Sequence, residues 1–380
     1  MPDTETGALS AAARELALLA GDHAARQDEE RRLDPDVMKA VVAGGFARHF
    51  VPRVHGGTGG TFAELNEALT TVAASCAATA WSASIVAGVG RMAGFLPAEG
   101  SARLWKDGPD TVVVGSLAPL GRASAAPGGW TLSGTWPSIS VVDHCDWALL
   151  RAVIPAGEGT ALRVFAVPRS AFGVKDTWAS TGMRATGSNT VVVEEAFVPD
   201  ELTFAGEDLF QGRPCHSTEL FHTVPLQAVN GLFFAGPALG AARGALAHWS
   251  GYATEKFRKA PPAAGPQGLS RSVYAEALAR SSGELDAAGL LIERAASVAD
   301  RGADVTALEA ARNGRDCSLS VQMAVSSVNR VFAAAGTGGH STHSPLQRFW
   351  RDVNSAATHI GLQFEPAAHA YAEQVARSVS

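Results

Sequence analysis

The sequence predicts an α+β chain in three parts: a helical segment, a central antiparallel β segment and a C-terminal helical bundle. Three observations carry that reading. Residues 8–107 are Ala-rich, with helix-like spacing and few β-branched clusters. From about 110 to 200 the texture turns to short β-branched runs with no helix-length segment between them, which favours antiparallel pairing over a βαβ layout. After roughly 225, apolar residues again recur at helical intervals. The expected boundaries are 1–109, 110–222 and 223–380.

Taken in order, Ser10 precedes an Ala/Leu run with Glu15 near its start and predicts a capped helix. Asp34-Pro35-Asp36 opens a second, since proline fits the first helical turn. His55-Gly56-Gly57-Thr58-Gly59-Gly60 is a loop, because so many glycines cost too much entropy inside a helix. Residues 111–118, 130–136, 147–153, 162–168 and 190–198 read as strands, with Pro127-Gly128-Gly129 turning between the first two. Leu278, Leu285 and Ile292 recur every seven residues. Leu346, Phe349, Val353, Ala356 and Ile360 recur at three and four, which marks a buried stripe. Residues 261–268 and Gly336–Gly339 are loops.

Composition bounds the function. The chain has 380 residues and is 46% hydrophobic, enough to bury a large core and to exclude wholesale disorder. Lys and Arg number 31 against 37 Asp and Glu, so the basic face of a nucleic-acid binder is not expected and a small molecule is the expected partner. Cys76, Cys145, Cys215 and Cys317 form no CxxC pair, which suits a reducing cytoplasm. No signal peptide is read at the N-terminus. Residues 68–90 and 223–242 carry no charge and are long enough to span a bilayer. Interspersed Ser, Thr, Pro and Asn make buried helices the better expectation, so no membrane is implied.

Gly88-Val89-Gly90-Arg91-Met92-Ala93 matches a dinucleotide pattern, but the residues before it look helical, and such a loop needs a strand there. The chain is therefore expected to lack an NAD(P)H site of its own. His216, Glu219 and His222 step by three and scatter around a helix, and His340 and His343 have no nearby carboxylate, so no metal is expected. Between Trp136 and Trp147, a strand ends in Trp136-Pro137-Ser138-Ile139-Ser140. A Trp and two hydroxyls at a strand break suit a flat heterocycle; taken alone, a core Trp and an ordinary Ser-rich turn are the stronger reading. His359, beside the expected stripe, by itself reads as a satisfied core residue.

The helical–β–helical order, Gly182-Met183-Arg184-Ala185-Thr186-Gly187-Ser188-Asn189 leading to Phe197-Val198-Pro199, and the late Arg351-Asp352 pair together resemble the acyl-CoA dehydrogenase fold. Ala80-Trp81, Gly115-Ser116-Leu117-Ala118-Pro119, the Trp136–Trp147 segment and Pro345–Asp352 are similar to its reduced-flavin-dependent monooxygenase branch, with aromatic-polyketide hydroxylases of the naphthocyclinone type as the nearest resemblance. Dehydrogenases of this fold need a base Glu eight residues after the Arg-Asp pair or early in the bundle. Ile360 stands at the first place, and no acidic residue occurs between Glu219 and Glu255.

The resemblance implies the oxygenase component of a two-component monooxygenase. A separate NAD(P)H-dependent reductase would deliver reduced FMN, or alternatively FAD, and O2 would add at flavin C4a to give a hydroperoxide that hydroxylates a phenol or naphthol ring. Ser140 and His359 are the expected catalytic residues, His359 as a near-neutral base for the phenolic proton. Trp136, Ser138 and Ser140 would contact the isoalloxazine. Arg258, Arg348 and Arg351 would hold the flavin phosphate, across a subunit boundary where needed. Trp81, Arg91 and Ser116 would line the substrate side. A homotetramer is implied, with the stretch around Phe233, Phe234 and Gly240 as contact surface. An N-hydroxylating enzyme on the same scaffold and an acyl-CoA dehydrogenase-like oxidoreductase are the alternatives.

Overall fold

The structure is a computed structural model that describes residues 7–263 and 270–379. Five helices open the chain: α1 (Ala8–Glu30), α2 (Pro35–Ala43), α3 (Phe62–Ala73), α4 (Ala77–Ala93) and α5 (Ala98–Leu104). Asp34 caps α2 by accepting the Asp36 N–H, with Pro35 behind it, as its sequence predicts. Ser10 does not cap α1. The helix begins one turn earlier, and the Ser10 hydroxyl is bonded to Arg14. The glycine pattern at Gly88–Ala93 lies inside α4, with no strand before it.

Seven strands follow: β1 (Val113–Ala126), β2 (Gly129–Ile139), β3 (Trp147–Ala156), β4 (Gly159–Pro168), β5 (Gly173–Lys175), β6 (Asn189–Pro199) and β7 (Thr203–Ala205). They form one sheet in the order β5-β6-β2-β1-β3-β4-β7. The expected all-antiparallel sheet is corrected at one pair, because β1 and β3 run parallel. The reason is topological. β2 returns along one edge of β1, so a chain that crosses to the other edge starts beside Val113 and runs the same way. β2 itself serves as the crossover, and no intervening helix is needed. The short edge strands β5 and β7 escaped the sequence pattern, since three residues show no alternation.

The second helical part contains α6 (Gly206–Gln211), α7 (Leu226–Val229), α8 (Leu232–Lys259), α9 (Arg271–Ala299), α10 (Ala307–Ala335), α11 (Pro345–Ala356) and α12 (Phe364–Val379). Of the expected loop at 261–268, residues 264–268 lie outside the described residues. Gly336–His340 is a short 3-10 turn. One contiguous apolar core runs through helices and sheet. Phe233, Phe234 and Gly240 are buried within the chain, which corrects their expected role as intersubunit surface. At Gly240 a Cβ would stand 2.4 Å from the Thr70 carbonyl, so glycine lets α8 press against α3. Among the described residues, no helix is long and apolar enough to cross a membrane.

Candidate active site

β2 ends in an irregular step. The pairing with β6 shifts between Trp136 and Ile139; Ser138 and Val141 take left-handed backbone angles (φ 61° and 63°). The step turns Ser140 out of the ladder and under α4. There Trp81 Nε1–H donates to Ser140 Oγ at 3.2 Å. Ser140 Oγ lies 2.8 Å from Ser188 Oγ, which lies 2.7 Å from Thr186 Oγ1, and Thr186 donates to the Met183 carbonyl at 2.8 Å. Asp352 in α11 accepts the Met183 N–H at 2.6 Å and so anchors the loop that presents Thr186 and Ser188.

Three rings close over this chain of hydroxyls. The Phe234 ring lies 4.9 Å from Trp81 and 3.8 Å from the His359 imidazole, while His359 meets Trp81 edge-on at 5.5 Å. Ring pairs at such separations pack favourably beyond their area alone. His359 is not within the helix, as its sequence suggested. α11 ends at Ala356, and His359 instead caps the 3-10 turn Ile360–Leu362. Ile360, read as part of the buried stripe, is 79% exposed because the chain has already left the helical register. His359 Nδ1 accepts the Gly361 N–H at 3.1 Å. Burial lowers its pKa to about 4. The imidazole is therefore neutral at pH 7 with its proton on Nε2. The expected titration near neutrality is thus corrected downward by burial.

Thus Trp81, Ser140 and His359 come together, and the other expected residues stand elsewhere. Trp136 is fully buried. Its N–H is bonded to the Arg151 carbonyl and its ring lies over Gly121 and Gly134, so it is a core residue and not a wall for a ligand. Ser138 is exposed at the strand step. Ser116 is half-buried on β1, its hydroxyl accepting the Ala118 N–H. Arg91 follows Trp81 by about 15 Å along α4. It is fully buried, donates to the carbonyls of Phe221 and Val224, and its pKa falls to about 9 through burial. It pins α4 to the segment before α7.

The expected phosphate-binding arginines also separate. Arg351 is engaged by Asp28, the Gln347 side chain and the Thr181 carbonyl, so it clamps α11 to α1 and is not available to a phosphate. Arg348 is half-buried, 5.9 Å from the Phe349 ring. Arg258 is exposed in the last turn of α8, about 36 Å along that helix from Phe234. A single chain therefore does not bring Arg258 to the aromatic cluster. Sequence patterns do not mark Phe234, Ser188 and Thr186 as site residues. The signal for Ser188 and Thr186 is the Gly182–Asn189 segment that carries the resemblance, whereas Phe234 is read from the sequence only as contact surface.

The cluster suits a flat heterocycle: aromatic faces, a neutral imidazole donor, and a hydroxyl that accepts from Trp81 and shares a hydrogen bond with Ser188. Residues 232–364 match the family model described as acyl-CoA dehydrogenase, C-terminal domain. The chain is 30% identical over 357 residues to the oxygenase component of the FADH2-dependent resorcinol hydroxylase of Rhizobium sp. (strain MTP-10005), covering 90% of this chain and 87% of that one. It belongs to the oxygenase components of two-component flavin-dependent aromatic hydroxylases. Two solved structures place this oxygenase component on the acyl-CoA dehydrogenase-like fold. The 3-HSA hydroxylase of Rhodococcus sp. RHA1 superposes with a TM-score of 0.90 at 26% identity over 96% of both chains. XiaF from Streptomyces sp., in complex with FADH2 and glycerol, superposes at 0.87 with 28% identity over 97% of this chain and 96% of that one. The enzyme is a flavin-dependent monooxygenase that uses reduced flavin, and an oxygenase component of this kind works with a separate flavin reductase and an aromatic substrate.

Proposed function

We propose that this oxygenase component hydroxylates an electron-rich phenol or naphthol ring of polyketide type, with the flavin ring seated at Ser140 and the substrate oxygen at His359. The observation that carries the reading is the convergence of Trp81, Ser140, Phe234 and His359 from three helical elements and a strand end. When bound, reduced flavin would with O2 supply the electrophilic oxygen, by way of the C4a-hydroperoxide that the resemblance implies. The chain supplies the rest. Trp81 and Phe234 keep water from the ring face, and the Nε2–H of His359 would donate to the oxygen of a substrate bound as its phenolate, the phenolic proton having been lost to solvent, which stabilises the electron-rich ring. FADH2 is the flavin named for two of the relatives, which supports FAD over FMN here.

The test combines the purified chain with a generic flavin reductase, NADH, FAD or FMN, and a panel of resorcinols, naphthols and hydroxylamine-forming amines. Hydroxylated naphthol or resorcinol with stoichiometric NADH use is expected. Turnover of the amines alone, or NADH oxidation by the chain without reductase, refutes the reading.

A further inference from the structure

We propose that Ser188 and Thr186 set the direction of the Ser140 hydroxyl, and through it make the site favour reduced over oxidised flavin. The inference rests on the flavin seat proposed above, taken with N5 against Ser140 as the resemblance implies. Each hydroxyl owns one hydrogen. Trp81 Nε1–H is a donor only, so Ser140 accepts from it. Thr186 gives its hydrogen to the Met183 carbonyl. Ser188 must then donate to Thr186, and Ser140 to Ser188, if every bond in the chain is made. In that arrangement Ser140 has no hydrogen left and offers only a lone pair.

A reduced flavin carries a hydrogen on N5, and an oxidised flavin carries a bare acceptor there. The lone pair of Ser140 fits the first directly. To serve the second, either Ser140 gives up its bond to Ser188 or the chain reverses and Thr186 leaves the Met183 carbonyl, and in both cases one hydrogen bond is lost. Bulk solvent scarcely reaches the chain, since Ser140, Ser188 and Thr186 are 8%, 4% and 2% exposed. The receiving carbonyl is held in place from its other side: Met183 stands at φ 54°, its N–H fixed by Asp352. Ser188 and Thr186 are thus positioning residues that act through Ser140.

Anaerobic titrations of the apo-chain with FAD and FADH2 test this, read as the ratio of the two dissociation constants alongside the melting temperature. Ser188→Ala frees the Ser140 hydrogen and is expected to lower the preference for FADH2 about tenfold, the worth of one neutral hydrogen bond. Ser188→Thr keeps a hydroxyl and is expected to restore it. Thr186→Val, which leaves Ser188 free to turn toward Ser140, is expected to lower the preference as well and serves if Ser188→Ala does not fold. An unchanged ratio in folded Ser188→Ala, or equal weakening of both flavins, overturns the inference. Ser140→Ala separates the two levels: if neither affinity changes, the flavin seat itself is wrong and the inference falls with it. Altered affinities in Ser140→Ala with an unaltered ratio in Ser188→Ala reject the inference alone.

Discussion

At His359, burial and the Gly361 N–H both hold the imidazole neutral, with Nε2–H as the free donor. His359→Ala is expected to slow hydroxylation about 10²-fold while leaving flavin affinity near normal, the usual cost of losing one placed donor. A packing role would instead show as a lower melting temperature with normal turnover per folded molecule, so both are to be measured together. The rate should also lack an acid limb near pH 6.5. Asp352 gives the opposite sign. Burial raises its pKa to about 7 against the lowering hydrogen bond from Met183 N–H, with Asp28 adding to the rise and Arg351 and Arg348 opposing it. The folded chain then holds a proton that the unfolded chain releases between about pH 4 and 7, so stability falls as pH rises through that window. Asp352→Asn keeps an acceptor for Met183 N–H without the charge. It is expected to match the wild type near pH 4 and to exceed it at pH 8 by up to about 4 kcal/mol in urea unfolding.

Among the elements, the β1–β2 hairpin shows how an apparent site residue becomes core. The strands pair antiparallel with Gly121 opposite Gly134, and the Trp136 ring fills the space both leave. A Cβ at Gly121 would stand 2.2 Å from that ring. Gly121→Ala is expected to destabilise the fold by about 1–3 kcal/mol through overpacking, checked by denaturant titration. The Trp136–Trp147 segment was legible as strand, break and strand because its β-branched runs and Pro137 are local signals. Which of its side chains faced a ligand was not legible. Ser140 points out of the ladder only because Ser138 and Val141 adopt left-handed angles, which the residue types do not announce. The same holds for His359: a three-four spacing extends the helix to Ile360, yet α11 stops at Ala356, and capping at the 3-10 turn re-aims the ring.

For the whole molecule, exposed apolar side chains are scattered from Leu18 to Ile360, and several fall on α8 and α9. Leu246, Phe257 and Leu278 line a groove of about 490 Å³ between α8 and α9, and Leu290 is 67% exposed on α9. We propose that this face packs between subunits of a homotetramer and brings another chain's Arg258 region toward each flavin seat. Light scattering is expected to give about four times 39 kDa, and Leu278→Asp to lower that mass; a monodisperse monomer of the wild type would contradict it.

By itself the sequence determined the order of helices, strands and helices, the buried uncharged segments and the lack of a strand before the Gly88–Ala93 pattern, because propensity and periodicity act over a few residues. It also carried the family through short segments such as Gly182–Asn189, whose backbone conformation is what the site uses. The tertiary structure decided the parallel β1–β3 pair, the burial of Trp136, the engagement of Arg351 by Asp28, and the meeting of Trp81, Ser140 and His359. Each depends on a partner that is remote in sequence, with 59 residues separating Trp81 from Ser140 and 323 separating Asp28 from Arg351. Hydrogen bonding and desolvation are fixed only when such partners meet, so the charge of His359 and the direction of Ser140 are properties of the packed chain.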